Sequence, residues 1–92
     1  MSWSYPPELL AALGTLGLAP TAATPPALAR EAVDELYKYE LRRLRDRLRK
    51  GEVARSDYLA HVIALRKKYW TLTLPLAAWE KICASPSLPS SR

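Results

Sequence analysis

The sequence contains no phenylalanine, only three glycines and a single cysteine, and these shortages narrow the classes of protein that it can represent. One cysteine cannot form an internal disulfide, and it cannot by itself supply a cysteine-based metal site. Because valine and isoleucine are few, whereas leucine, alanine, glutamate and arginine are frequent, the composition favours helices over strands. Apolar residues make up 49% of the 92 residues, which is enough for one small hydrophobic core.

Positive charge is missing from the first third of the chain. Residues 1–29 contain one charged residue, Glu8, and no lysine or arginine. The apolar stretch 9–18 therefore lacks the basic segment that precedes the apolar part of a signal peptide, and it is too short to span a bilayer. We expect a reduced, cytoplasmic protein of bacterial type.

Prolines, glycines and apolar spacing divide the chain into four predicted helices, at about 6–13, 25–49, 57–69 and 75–84. Gly14 is the expected stop of the first helix and Thr24 the expected N-cap of the second. The longest helix carries an apolar stripe spaced by four, four, three and four residues, at Val33, Tyr37, Leu41, Leu44 and Leu48. A disordered tail is expected over 85–92.

Gly51 predicts a sharp turn after the longest helix, because glycine readily adopts the left-handed backbone that ends helices. A second cap is expected at Ser56-Asp57, so the connection is short and the two helices should pack antiparallel. The expected fold class is all-α. It is a small helical bundle in one domain, 1–84, centred on an antiparallel helical hairpin with short terminal helices.

The residues around this turn resemble a known family of helical hairpins. Leu41, Leu44 and Leu48 precede the segment Gly51-Glu-Val-Ala-Arg-Ser-Asp-Tyr58, and together they look like the SHOCT-type hairpins found at the ends of many bacterial proteins. Ala54 departs from the capping Thr or Ser of that pattern, and Val62 stands where Lys is common. The resemblance covers about 25 of the 92 residues, and it implies a packing or oligomerisation module.

No catalytic, metal-binding or cofactor-binding pattern is present. His61 is the only histidine and has no second ligand at metal-binding spacing, so a surface histidine is expected. The acids Glu31, Asp34 and Glu35 suit a solvated first turn that complements the helix dipole. Phosphate-binding loops and nucleophile elbows are absent. We therefore predict a protein that is not an enzyme and binds no cofactor.

The net charge of +5 is concentrated after residue 30 and suggests one possible function. A small nucleic-acid-binding protein that uses the basic patch Arg42 to Lys50 is the alternative prediction, with Arg42, Arg45, Arg49 and Lys50 as the candidate phosphate contacts. A second basic patch, Arg66 to Lys68, should lie at the opposite end of an antiparallel hairpin. The two patches are therefore not expected to line one contiguous groove.

The second helix of the hairpin has an apolar arc too wide for one neighbour. Tyr58, Val62, Leu65 and Tyr69 repeat the stripe, and Leu59, Ile63 and Trp70 widen it to nearly half the circumference. The principal prediction is a non-catalytic accessory or protein-interaction domain that binds a protein partner or dimerises. The candidate contact residues are Tyr58, Leu59, Ile63, Trp70 and Trp79.

Overall fold

The computed structural model describes residues 2–84, and over this range the chain folds into helices with no strand. The elements are α1 (Pro7–Thr15), α2 (Pro26–Arg49), α3 (Arg55–Lys68), a 3-10 turn (Trp70–Thr73) and α4 (Leu76–Ile82). The all-α prediction is confirmed. The predicted tail, 85–92, lies outside the described residues.

Proline, and no capping side chain, begins three of the helices. The N-cap residues of α1, α2 and α4 are Pro6, Pro25 and Pro75. The predicted N-cap role of Thr24 is therefore wrong, and its hydroxyl instead accepts a hydrogen bond from the Thr21 N–H at 3.0 Å. The fixed φ of proline suits the entry into a helix, so these starts need no side-chain hydrogen bond.

Helix α3 begins two residues before its predicted start. Ala54 occupies the N-cap position, so Ser56 and Asp57 lie inside the first turn and do not cap it. Asp57 still contributes there, because a carboxylate in the first turn interacts favourably with the helix dipole.

Gly17, and not the expected Gly14, ends α1. Gly14 lies inside the helix, while Gly17 has a left-handed φ of 82°. The Leu18 N–H donates to the Leu13 carbonyl at 2.9 Å, which is the hydrogen bond of a Schellman motif.

Gly51 ends α2 in the same way, as the sequence predicts. Its φ is 78°, and the Glu52 N–H donates to the Arg47 carbonyl at 2.9 Å. The chain therefore reverses within a few residues, and Val53 is buried just after the turn.

One hydrophobic core lies against the first half of α2. Its buried members are Tyr5, Leu9, Leu13, Ala29, Val33, Tyr69, Trp79 and Cys83. No residue between 38 and 64 belongs to this cluster, although Leu44 and Val53 are buried elsewhere. Both short helices therefore contribute to the core at the same end of α2.

The segment around the 3-10 turn is fixed by hydrogen bonds to its carbonyls. The indole Nε1–H of Trp79 donates to the Thr71 carbonyl at 2.9 Å. The Arg30 guanidinium of α2 donates through Nε to the Leu74 carbonyl at 3.0 Å and through Nη2 to the Leu72 carbonyl at 3.2 Å. These bonds satisfy polar groups at the edge of the core and hold the turn on α2.

The far end of α3 lies close to the middle of α2. Lys68 Nζ is 3.0 Å from the Glu40 carboxylate, and the Tyr69 hydroxyl donates a hydrogen bond to the same carboxylate. The ring centroids of Tyr37 and Tyr69 are 5.3 Å apart. With the turn at Gly51, these contacts support the expected pairing of α2 and α3.

Alanine substitutions at Gly51 and at Gly14 are predicted to change the free energy of unfolding in opposite directions. Gly51→Ala should lower the free energy of unfolding by about 1 kcal/mol, because a Cβ disfavours the left-handed backbone even where no atom lies within 4 Å. Gly14→Ala, in a helix with equally open space, should raise it by about 0.5 kcal/mol. Urea unfolding of both variants measures the two changes. Equal signs for the two would contradict the assigned helix ends.

Candidate functional site

An apolar stripe runs along the outer side of α3. Leu59 is 66% exposed, Ile63 is 44% exposed, and Trp70, at the start of the 3-10 turn, is 43% exposed. Helix α3 contains no buried residue, and only Tyr58, Val62 and Leu65 are half-buried. We call Leu59, Ile63 and Trp70 the α3 stripe. The stripe has solvent on its outer side although its residues are among the largest apolar ones in the chain.

The other two candidate contact residues have different environments. Trp79 is fully buried in the core, so the structure removes it from the candidate surface. Sequence reasoning placed it on a peripheral short helix, but α4 packs directly on α2. Tyr58 is half-buried and borders the stripe without belonging to it.

A small apolar pocket adjoins Trp70. Its volume is about 180 Å³, and its lining residues are Pro6, Glu8, Leu9, Trp70, Leu74, Trp79 and Ile82. Ile82 is 44% exposed, close to the 43% exposure of Trp70. The pocket therefore extends the apolar surface from the α3 stripe towards the end of the bundle where α1 and α4 meet.

Basic residues flank Leu59 and Ile63, the two members of the α3 stripe that lie on α3 itself. Arg55, Leu59, Ile63 and Lys67 are spaced by four residues and so form one row along the helix. Both bases are exposed. The only acid of α3, Asp57, is two residues from Leu59, a rotation of about 200° that puts it on another side of the helix. The row therefore consists of two apolar residues with one base at each end.

A groove with basic walls lies between α2 and α3. Its volume is about 380 Å³, and it is lined by Glu40, Arg43, Leu44, Arg47, His61, Ala64, Leu65 and Lys68. Bases from both basic patches therefore line one groove, which corrects the expectation that they would be kept apart. The bases of each patch lie on different sides of their helix, and Arg43, Arg47 and Lys68 are the ones that face the groove.

The four bases predicted to contact nucleic acid are not among the groove residues. Arg42, Arg45 and Arg49 on α2, and Lys50 at its C-cap, are all exposed and lie outside the groove. Arg43 and Arg47, which do line the groove, belong to the predicted basic patch but not to the four predicted contacts. Their spacing of four residues could have identified them, because it places both on one side of α2, next to Leu44.

Glu40 also lines this groove, and its carboxylate already accepts hydrogen bonds from Lys68 and Tyr69. Burial, the largest single influence, raises the pKa of Glu40, but hydrogen bonds from Tyr69 and Lys68 and the charges of Lys68 and Arg43 together lower that pKa below its usual value. Burial and Glu40 raise the pKa of Tyr69. The carboxylate therefore stays ionised and the phenol stays protonated, which suits a structural link between α2 and α3.

Other positions offer little for chemistry within residues 2–84. No three histidine, cysteine, aspartate or glutamate side chains are grouped as metal ligands there. Cys83 is buried, and burial raises the pKa of its thiol. None of the helices in this range is long and apolar enough to cross a membrane.

Comparison of the chain with protein-family models, curated proteins and solved structures finds no match. The SHOCT-type resemblance therefore rests on the residues around the Gly51 turn alone.

The environment of Glu40 predicts a pH-dependent contribution to stability. Because its pKa is lowered in the folded state, the contribution is present above about pH 4.3 and is lost as pH falls through the folded value. Glu40→Gln should cost about 1 kcal/mol at pH 6, and this difference from the wild type should shrink towards pH 3. Urea unfolding at both pH values measures it. Glu35→Gln, an exposed carboxylate on the same helix, is the control, and an equal effect there would refute a special role for Glu40.

Proposed function

We propose that the chain is a non-catalytic protein-interaction domain that binds a helix of a partner protein through the α3 stripe. The observation that carries the proposal is the exposure of Leu59 and Ile63 on a helix that buries none of its residues. Exposed apolar side chains in a row are typical of surfaces that another protein covers, whereas isolated ones are common on any protein.

A helix is the partner element that the stripe fits best. Leu59 and Trp70 are eleven residues apart, so the stripe is about 16 Å long and narrow. It is continued by the 180 Å³ apolar pocket beside Trp70. A long, narrow apolar surface ending in a pocket suits a helix with one apolar side and an anchoring side chain at its end.

The proposal includes a finer view of the fold. In it, α1, α4 and the first half of α2 form the stable bundle, and the rest of α2 with α3 forms an antiparallel hairpin that presents the stripe. The restriction of the core to one end of α2 supports this division. A third helix docked on the hairpin would complete a local bundle in the way that helix hairpins usually bury their second apolar side.

Replacing two residues of the α3 stripe should weaken binding without unfolding the chain. Leu59→Ser with Ile63→Ser should weaken binding of a stapled amphipathic helical peptide at least tenfold, because the peptide loses its apolar contacts, while the unfolding free energy changes by less than about 0.5 kcal/mol. Fluorescence anisotropy measures the affinity. Leu28→Ser is the matched control, since Leu28 is 58% exposed on α2. Equal binding by the stripe variant and the wild type would refute the proposal.

Nucleic-acid binding is a second candidate function, and the basic groove is the observation that favours it. Arg43 contacts no carboxylate within the described residues and lies 5.9 Å from the Tyr39 ring centroid, while Arg47 has only a loose contact of 3.8 Å with Glu52. Both guanidiniums remain open to phosphate groups. The apolar lining of Leu44, Ala64 and Leu65 is aliphatic, and among the described residues the imidazole of His61 is the one ring that lines the groove, so the surface for base stacking is small and this candidate ranks second.

Two double variants separate the groove from the outer bases of α2. If nucleic acid binds in the groove, Arg43→Ala with Arg47→Ala should weaken binding of a single-stranded oligonucleotide about tenfold and flatten its dependence on salt. Arg42→Ala with Arg45→Ala removes the same charge from the exposed side of α2 and should have less effect. Anisotropy titrations at two salt concentrations test this. Equal losses of affinity in the two double variants would contradict binding in the groove and indicate non-specific electrostatic attraction.

A further inference from the structure

We infer that the partner of the α3 stripe is an acidic amphipathic helix, and not a second copy of this chain. The inference rests on the proposed function, because it concerns the same surface. It adds the charge of the partner and excludes the simplest form of self-association.

The charge pattern of the row identifies the partner's chemistry. Arg55 lies four residues before Leu59, and Lys67 lies four residues after Ile63. All four residues therefore share one row of the helix. Arg66, also exposed, adds a third base beside Ile63. A helix with two apolar residues and an acid at each end, about 18 Å apart, would place every carboxylate opposite a base.

The same row argues against a symmetric dimer through α3. In an antiparallel pair centred on the row, Arg55 of one copy lies opposite Lys67 of the other. In a parallel pair, each base lies opposite itself. Both arrangements bring bases together with no acid of α3 on the same side to separate them, since Asp57 is turned away by the helix rotation. Like charges placed opposite each other reduce affinity.

The inference can be tested with two stapled peptides as probes. Both carry leucines at positions matching Leu59 and Ile63, and they differ only in the flanking residues, which are glutamates in one and lysines in the other. At low salt, the wild-type chain should bind the glutamate peptide at least tenfold more tightly, and the preference should shrink in 0.5 M salt.

Charge-reversal variants show whether the preference is local. Arg55→Glu with Lys67→Glu should lower affinity for the glutamate peptide at least tenfold and favour the lysine peptide. Arg42→Glu with Arg45→Glu makes the same change in net charge on α2, and should alter either affinity less than threefold. If the first pair unfolds the chain, Arg55→Gln with Lys67→Gln replaces it, with the expected loss reduced to about threefold. Circular dichroism monitors the fold.

The outcomes separate this inference from the proposed function. Equal binding of both peptides, still lost in the Leu59 and Ile63 variant, would overturn the acidic partner and leave the stripe as a docking surface. Equal losses for both charge-reversal pairs would reduce the effect to net charge and also overturn the inference. No stripe-dependent binding of either peptide would refute both proposals. A dimer that is seen in sedimentation equilibrium and is lost in the Leu59 and Ile63 variant would overturn the inference, because it would show that the stripe binds a second copy of this chain.

Discussion

Burial of Trp79 against the first half of α2 determines how the apolar surface of this chain is divided. The indole fills the core and donates its N–H to the Thr71 carbonyl, and the same cluster gathers apolar residues from α1, α4 and the segment before α1. Within residues 2–84, the cluster contains no residue from the second half of α2. The second half of α2 is left with α3 as its main neighbour, and α3 keeps an apolar side that nothing in the described chain covers.

The positive charge of the chain is less uniform than its net value of +5 suggests. Arg30 is occupied by two backbone carbonyls, and Lys68 is paired with Glu40. Arg43 and Arg47 face a groove, while Arg55 and Lys67 frame an apolar row. Each group of bases therefore has a distinct physical setting, and the total charge alone does not distinguish them.

Local patterns predicted the helices well, because periodicity, proline and glycine act within a few residues. The bounds of α2 and the turn at Gly51 follow from such signals, and so does the wide apolar arc of α3. The burial of Trp79 and the shared groove could not be predicted, since each depends on which side of one helix meets another. Thr24 shows a related limit: its residue type favours capping, but Pro25 already provides the helical entry.

The main hydrophobic cluster contains no residue between 38 and 64, and this has a consequence for cooperativity. Backbone hydrogen bonds near the Gly51 turn can open without disrupting Trp79 and its neighbours, so the chain contains regions of unequal local stability. We therefore expect amide hydrogens there to exchange through partial opening, at a lower free energy than those of the first half of α2. A ligand that binds only the closed hairpin would slow that exchange in proportion to its occupancy, because it stabilises the closed state and not the open one.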